Sequence, residues 1–432
     1  MKTTALLFAT VLVLPTVAVA QTYAITGGKV HTVSDAGTLD DATVVITDGR
    51  VVAVGTDVAV PDGAEVIDAT NKVVTPGFVP AYSHLGLVEI GLVDETVDSY
   101  QIGDRFSAAV DVTDAFNPAS TLIPIMRVEG ITRAFVAPTV SLWALARVAG
   151  ARTSLIAGQG AWVDLSGSAD SVVQPRVAMF VELGETGAAL TGGSRTTAML
   201  ELREALTDAH DYAEEGGDNW LERDRALSRL DLQALGPVIA GSIPVVARVE
   251  RASDIRAAMQ LADEFDLKLV IRGGAEAWML ADELAEAGVP VIFDPVRNLP
   301  DRFERLGSRL EAAALLNEAG VTIAFSSSDE HNDRNVRQKA GNAVAYGLPY
   351  AAALAALTRN PAYIYGVEEY GSLEPGAVAD IVVWDGDPLE VTTYADAVFI
   401  NGEKIPMESR QTKLRDRYLK LDRELPHAYT KP

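Results

Sequence analysis

Apolar and polar residues repeat with two different periods along this chain, and each change of period marks a change of architecture. From Tyr23 to Val74 the apolar positions come in short runs broken by turn residues, the pattern of strands. Thr43 to Thr47, then Asp48-Gly49, then Arg50 to Val54 predicts a hairpin, because Asp-Gly supplies the two left-handed residues a type I′ turn needs. Pro61-Asp62-Gly63 makes another turn before Glu65 to Asp68. Strands of the same style return at Asp380–Asp385 and Ala397–Gly402. Two β-rich stretches flanking a long middle predict one small domain built from residues 21–75 and 368–408.

The middle alternates strand and helix. Ile243–Ala247 is an apolar strand. Ser253 is a suitable N-cap for a helix carrying Ile255, Ala258, Met259, Ala262 and Phe265 on one face. Strands are predicted at Leu267–Ile271, Val289–Phe293 and Val321–Phe325. Helices fall at Glu276–Ala287, closed by Gly288, and at Leu310–Ala319, closed by Gly320. Strand–helix units this closely spaced imply parallel strands with right-handed crossovers. A doubly wound open sheet would want a glycine-rich phosphate loop after its first strand, and none is present. The expected fold is therefore α/β: a (β/α)₈ barrel over 76–367, with a small β-sandwich domain formed by the N- and C-terminal segments. Arg203–Arg229 reads as charged helices and a loop outside the barrel, with His210 a solvated helix residue. Residues 409–432 read as a helical tail.

Composition narrows the setting. Met1-Lys2, the apolar run Leu6–Val17 and the small-x-small site Ala18-Val19-Ala20 predict a signal peptide over 1–20, hence export, to a bacterial periplasm. No later stretch reaches the ~18 uninterrupted apolar residues of a membrane span. A net charge of −24 over 432 residues argues against nucleic acid or an anionic membrane as a partner. With no cysteine, disulfides, thiolate ligands and a cysteine nucleophile are all excluded, and only five histidines remain.

The segment Val74-Thr75-Pro76-Gly77-Phe78-Val79-Pro80-Ala81-Tyr82-Ser83-His84 resembles the first barrel strand of the amidohydrolase superfamily, which includes dihydroorotase and imidazolonepropionase. That family usually reads Pro-Gly-Phe-x-Asp-x-His-x-His here, since residues i and i+2 of a strand project to one side and both imidazoles can reach one metal. Ala324 to Asp329 resembles the eighth strand, whose terminal aspartate binds metal in the family and takes a proton from the attacking water. Gly371 to Gly376 and Ala379 to Trp384 resemble the return into the small domain. The resemblance implies a hydrolase of amide or cyclic-amide C–N bonds that uses zinc or another divalent metal.

The ligand set departs from that pattern. Tyr82 stands where one histidine is expected, Pro80 where the aspartate is, Arg248 closes the fifth strand, and Gly273-Gly274 follow Arg272 at the sixth. A phenol of pKa near ~10 and a permanent guanidinium cation are poor metal partners. Only His84 and Asp329 remain, short of the three protein ligands a catalytic zinc uses. The expectation is therefore a degenerate metal site with no resident cofactor, in which Arg248 neutralises Asp329, while Tyr82, Arg248, His331 and Asn332 serve binding. His331, Glu182, Glu185 and Glu250 are alternative donors for a rebuilt site. Three readings stay open. One is a non-catalytic subunit that takes a small-molecule or dipeptide-like ligand, or pairs with an active amidohydrolase paralogue or its own copy. Another is an active C–N hydrolase with an atypical metal around His84 and Asp329. The third is a metal-free enzyme using Tyr82, Arg248 and Asp329.

Overall fold

A computed structural model describes residues 21–214, 226–327 and 330–419. The predicted signal peptide (1–20), Asp329 and His427 lie outside the described residues. Two sheets organise the rest. The first draws on both ends of the chain: β1 (Tyr23–His31), β2 (Thr38–Thr47), β3 (Arg50–Gly55), β4 (Glu65–Asp68) and β5 (Val73–Pro76) from one side. The second sheet's strands follow: β6 (Arg133–Val136), β7 (Ile156–Asp164), β8 (Val172–Glu182), β9 (Val245–Val249), β10 (Leu269–Gly273), β11 (Val291–Phe293) and β12 (Ile323–Phe325). The chain then returns to the first sheet with β13 (Ile381–Trp384), β14 (Ala395–Ile400) and β15 (Glu403–Lys404).

The first sheet runs β15-β14-β13-β5-β1-β2-β3, with β4 beside β1. Its seam is the antiparallel pair β5–β13, where Pro76 faces Ile381 and Val73 faces Trp384, so neither chain end completes the sheet alone. The β2–β3 turn is as predicted. Asp48 and Gly49 have φ of 52° and 77°. A β-carbon on Gly49 would also stand 2.8 Å from the Asn401 carbonyl oxygen, so the turn needs glycine twice over.

The second sheet runs β12 to β6 in order and curls into a barrel. Residues 78–83 lie between its two ends: Ala81 N–H donates to Phe325 O at 3.0 Å, and Ser83 N–H to Phe135 O at 2.8 Å. From β8 through β12 all pairs are parallel, as the strand–helix rhythm implies. One strand departs from it. β7 runs antiparallel to both β6 and β8, and it joins β8 through a short turn rather than a crossover helix. The turn is held by the Asp164 carboxylate, which accepts from Ser166 N–H at 2.9 Å.

Strand boundaries lie about two residues later than the apolar runs suggest, since β9 and β10 extend into Arg248–Val249 and Arg272–Gly273. The helix after β9 spans Ala252–Glu264 with Arg251, not Ser253, at its N-cap. The Glu276 carboxylate accepts from Ala252 N–H at 3.0 Å, so a distant side chain satisfies the end that Ser253 was expected to cap. Helices Arg195–Glu214 and Arg229–Ile239 flank the barrel, and His210 is exposed 3.4 Å from Glu214. Among the described residues no helix is long and apolar enough to cross a membrane.

Side chains alternate along the barrel strands. Phe180, Val246, Val270, Ile292 and Ala324 pack in the interior, each buried, while Val181, Ala247, Ile271, Val291 and Ile323 face the surrounding helices. The period of two therefore sends Glu182, Arg248, Arg272, Asp294 and Ser326 inward, one step above that apolar layer. The fold places its polar residues at the barrel mouth by this step alone.

Candidate functional site at the barrel mouth

The mouth holds a cavity of about 160 Å³ lined from four directions: Tyr82 and His84, Arg248 and Glu250, Arg272 to Ala275, and the loop after β11. Ser326 and Ser327 complete it. Tyr82 and His84 both reach it, as their i, i+2 spacing predicts. Ser83, between them, points away and donates to the buried Asp333 carboxylate.

The Tyr82 hydroxyl lies 3.0 Å from His84 Nε2 and 3.2 Å from the Pro138 carbonyl oxygen. A phenol has one proton, so when it donates to Pro138 it accepts from His84, whose Nε2 then carries the hydrogen. Burial first, with Glu182 adding, raises the Tyr82 pKa, while Arg272 opposes it; the ring stays a neutral phenol. The Arg272 guanidinium sits 4.0 Å from the centre of that ring, a cation–π contact.

Glu182, Arg248 and Arg272 form the centre of the site. Parallel register puts Glu182 directly beside Arg248, and Arg248 directly beside Arg272. Arg272 Nη2 donates to Glu182 Oε1 at 2.7 Å and Arg248 Nη1 to Glu182 Oε2 at 3.3 Å. Glu182 is only 2% exposed, against 20% for Arg248 and 14% for Arg272. The neighbouring carboxylate holds the Arg248 pKa above its ordinary value despite burial. Sequence reasoning paired Arg248 with Asp329; within the described residues its partner is Glu182.

The rim adds charge from the loop after β11, which periodicity did not single out. Arg305, 4% exposed, pairs with Glu250 at 3.4 Å and Asp301 at 3.3 Å, and donates to Arg297 O at 2.7 Å. Lys339 donates to Asp294 at 2.6 Å. His331 and Asn332, expected to bind ligand, sit on the 3₁₀ turn Glu330–Asn335 with 3.3 Å between their side-chain nitrogens, and neither lines the cavity.

The donors described here do not fit the divalent metal that the family resemblance implies. Among the described residues no group of three or more His, Asp or Glu side chains is arranged to hold a metal ion. Glu182, beside the fifth and sixth strand ends, already accepts from two guanidiniums. The sixth-strand position is closed as well. Gly273 has φ 95°, and a β-carbon there would stand 2.8 Å from the Glu250 carboxyl group, so an imidazole at that place would strain the backbone and have to displace Glu250. Glu250 is itself fixed by Ala275 N–H at 3.1 Å and by Arg305.

Comparison with known proteins agrees with this architecture. Residues 239–406 match the model of the amidohydrolase family. An amidohydrolase of Hapsidospora irregularis is 26% identical over 372 residues, covering 79% of this chain and 37% of that protein. The dihydroorotase of Mycobacterium tuberculosis is 41% identical over 92 residues, 21% of this chain and 20% of that enzyme. The chain thus spans well under half the length of these relatives. In three dimensions the chain is similar to the crystal structure of an amidohydrolase from Thermotoga maritima. The TM-score is 0.77 at 27% identity, covering 89% of this chain and 99% of that one. A prolidase solved with N-methylphosphonate-L-proline shares the fold at 19% identity, with a TM-score of 0.56 over 90% of this chain and 100% of that one.

Proposed function

We propose, from the premise that this chain carries an amidohydrolase family domain on the fold of that superfamily, that it is an exported binding protein. Its barrel mouth receives a small amide or dipeptide-like molecule without a resident metal. The observation that carries this reading is the Glu182–Arg248–Arg272 triad, which sets two permanent cations where metal ligands are expected. A divalent ion brought to that place meets repulsion from both guanidiniums, and the carboxylate between them has its oxygens engaged. Family membership supplies the pocket, and the pocket's own residues decide its use.

Metal analysis of purified mature protein tests the reading. The expected result is far less than one equivalent of any transition metal, with no turnover of dipeptides or hydantoin-like rings. About one tightly held zinc or manganese per chain overturns it. One feature favours an active C–N hydrolase instead: His84 keeps its family position and lines the cavity. On that reading Asp329 is the general base, and a measured hydrolysis that disappears in Asp329→Asn would carry it.

A further inference from the structure

The cavity's charge is lopsided in a way that specifies a ligand. Five arginines line it (Arg248, Arg272, Arg297, Arg305 and Arg309) against two carboxylates, Glu250 and Asp294. Most of these cations are matched one for one. Arg305 and Arg297 share Glu250 and Asp301, Arg309 pairs with Glu311 at 3.1 Å, and Lys339 pairs with Asp294. Among the described residues the triad is not matched, because two guanidiniums share the single Glu182. Like charges at directly opposed strand positions repel, and Arg248 and Arg272 are such a pair. Each guanidinium has five N–H donors and gives one to Glu182. Arg272 Nε is buried with no hydrogen-bond partner among the described residues. Among the described residues an excess positive charge, with the unused donors of the part-exposed Arg248, therefore opens on the cavity.

We infer that the ligand of this mouth is a monocarboxylate, whose carboxylate lies against Arg248 and Arg272 as the second anion of the triad. This rests on the reading above that protein cations occupy the metal's place. One negative charge balances the site; a phosphate, at about −1.5 to −2, overshoots it. The planar fork of a guanidinium also matches two carboxylate oxygens, and the unfilled donors supply that geometry. Glu182 acts as a counterweight that sets how strongly the anion is held.

Titration of the full mature chain with N-acetylglycine, N-acetylglycinamide and inorganic phosphate, followed by calorimetry or ligand-observed NMR, tests the inference. The carboxylate is expected to bind at least about tenfold more tightly than the isosteric amide or phosphate. Two substitutions must then move affinity in opposite directions. Arg248→Met weakens N-acetylglycine about tenfold or more, and Glu182→Gln tightens it, because the first removes the excess charge and the second doubles it. Should Arg248→Met fail to fold, Arg248→Gln takes its place: it removes the same charge and is expected to weaken N-acetylglycine about tenfold or more. Equal binding of the amide, tighter binding of phosphate, no carboxylate binding up to ~10 mM, or parallel weakening by both substitutions overturns the inference. The metal assay separates the two ideas: metal-free protein that ignores carboxylates sinks this inference alone. Metal-loaded protein that still obeys the opposed substitutions sinks only the reading on which it was built.

Discussion

Two buried arginine–carboxylate sets, at opposite ends of the barrel, have opposite charge balance. At the junction with the terminal sheet, the fully buried Arg133 ion-pairs with Asp380 and also hydrogen-bonds Asn401, whose amide donates to Asp164 at 3.0 Å. One cation there faces two carboxylates. At the mouth, among the described residues, two cations share one. The junction is sealed: Asp380 also accepts from Asn401 N–H at 2.8 Å, and the Tyr370 ring covers the guanidinium at 4.0 Å. Burial raises the Asp380 pKa, and Arg133 opposes that rise. The mouth opens on a cavity. The comparison separates two uses of the same chemistry: the sealed set encloses its cation, leaving only Arg133 Nη1 without a hydrogen-bond partner beneath the Tyr370 ring, while the open set turns its cations toward a cavity.

The largest expected effect is at the junction. Arg133→Met leaves Asp380 and Asp164 buried without their cation and costs about 3–5 kcal/mol of stability by denaturant unfolding. A loss no greater than that of Arg248→Met would erase the distinction. Gly273→His comes next. It forces a side chain onto a left-handed backbone against Glu250, with a penalty of about 1–3 kcal/mol, and metal affinity is not restored. Zinc binding gained at undiminished stability would mean the mouth is an ordinary metal site lacking one ligand. The smallest effect is Arg248→Met measured as stability, a change within about 1 kcal/mol in the thermal or denaturant transition. Glu182 keeps Arg272, and the lost charge was in excess.

Much of the fold is legible in the sequence, for reasons that differ by element. The β2–β3 hairpin is set by Asp48-Gly49, a purely local signal. The parallel run β9 to β12 follows from alternating apolar runs and helices. Reversal of β7 is not legible, because Ile156–Asp164 is buried along its whole length and a strand buried on both faces shows no alternation that marks its direction. The Ser253 cap was misplaced because the satisfying carboxylate, Glu276, arrives from beyond the next strand. At the mouth, Tyr82, His84 and Arg248 could be found from strand ends. Their partner Glu182 belongs to a strand 66 residues earlier in the chain than Arg248, and only the register reveals the pairing. Arg297 and Arg305 sit in a loop with no period to flag them.

The reversed strand also bears on how the barrel assembles. Parallel neighbours such as β9 and β10 meet only after a helix has formed and folded back, so their closure is slow in chain-entropy terms. β7 and β8 are adjacent in sequence and joined by a tight turn, and they can zip together without waiting for any helix. That ribbon offers β9 an edge to dock on, and β9 then offers one to β10. Kinetic order thus starts at β7 and β8 and travels toward β12, so substitutions in the Ser166–Ser171 turn should slow refolding while leaving the unfolding rate nearly unchanged.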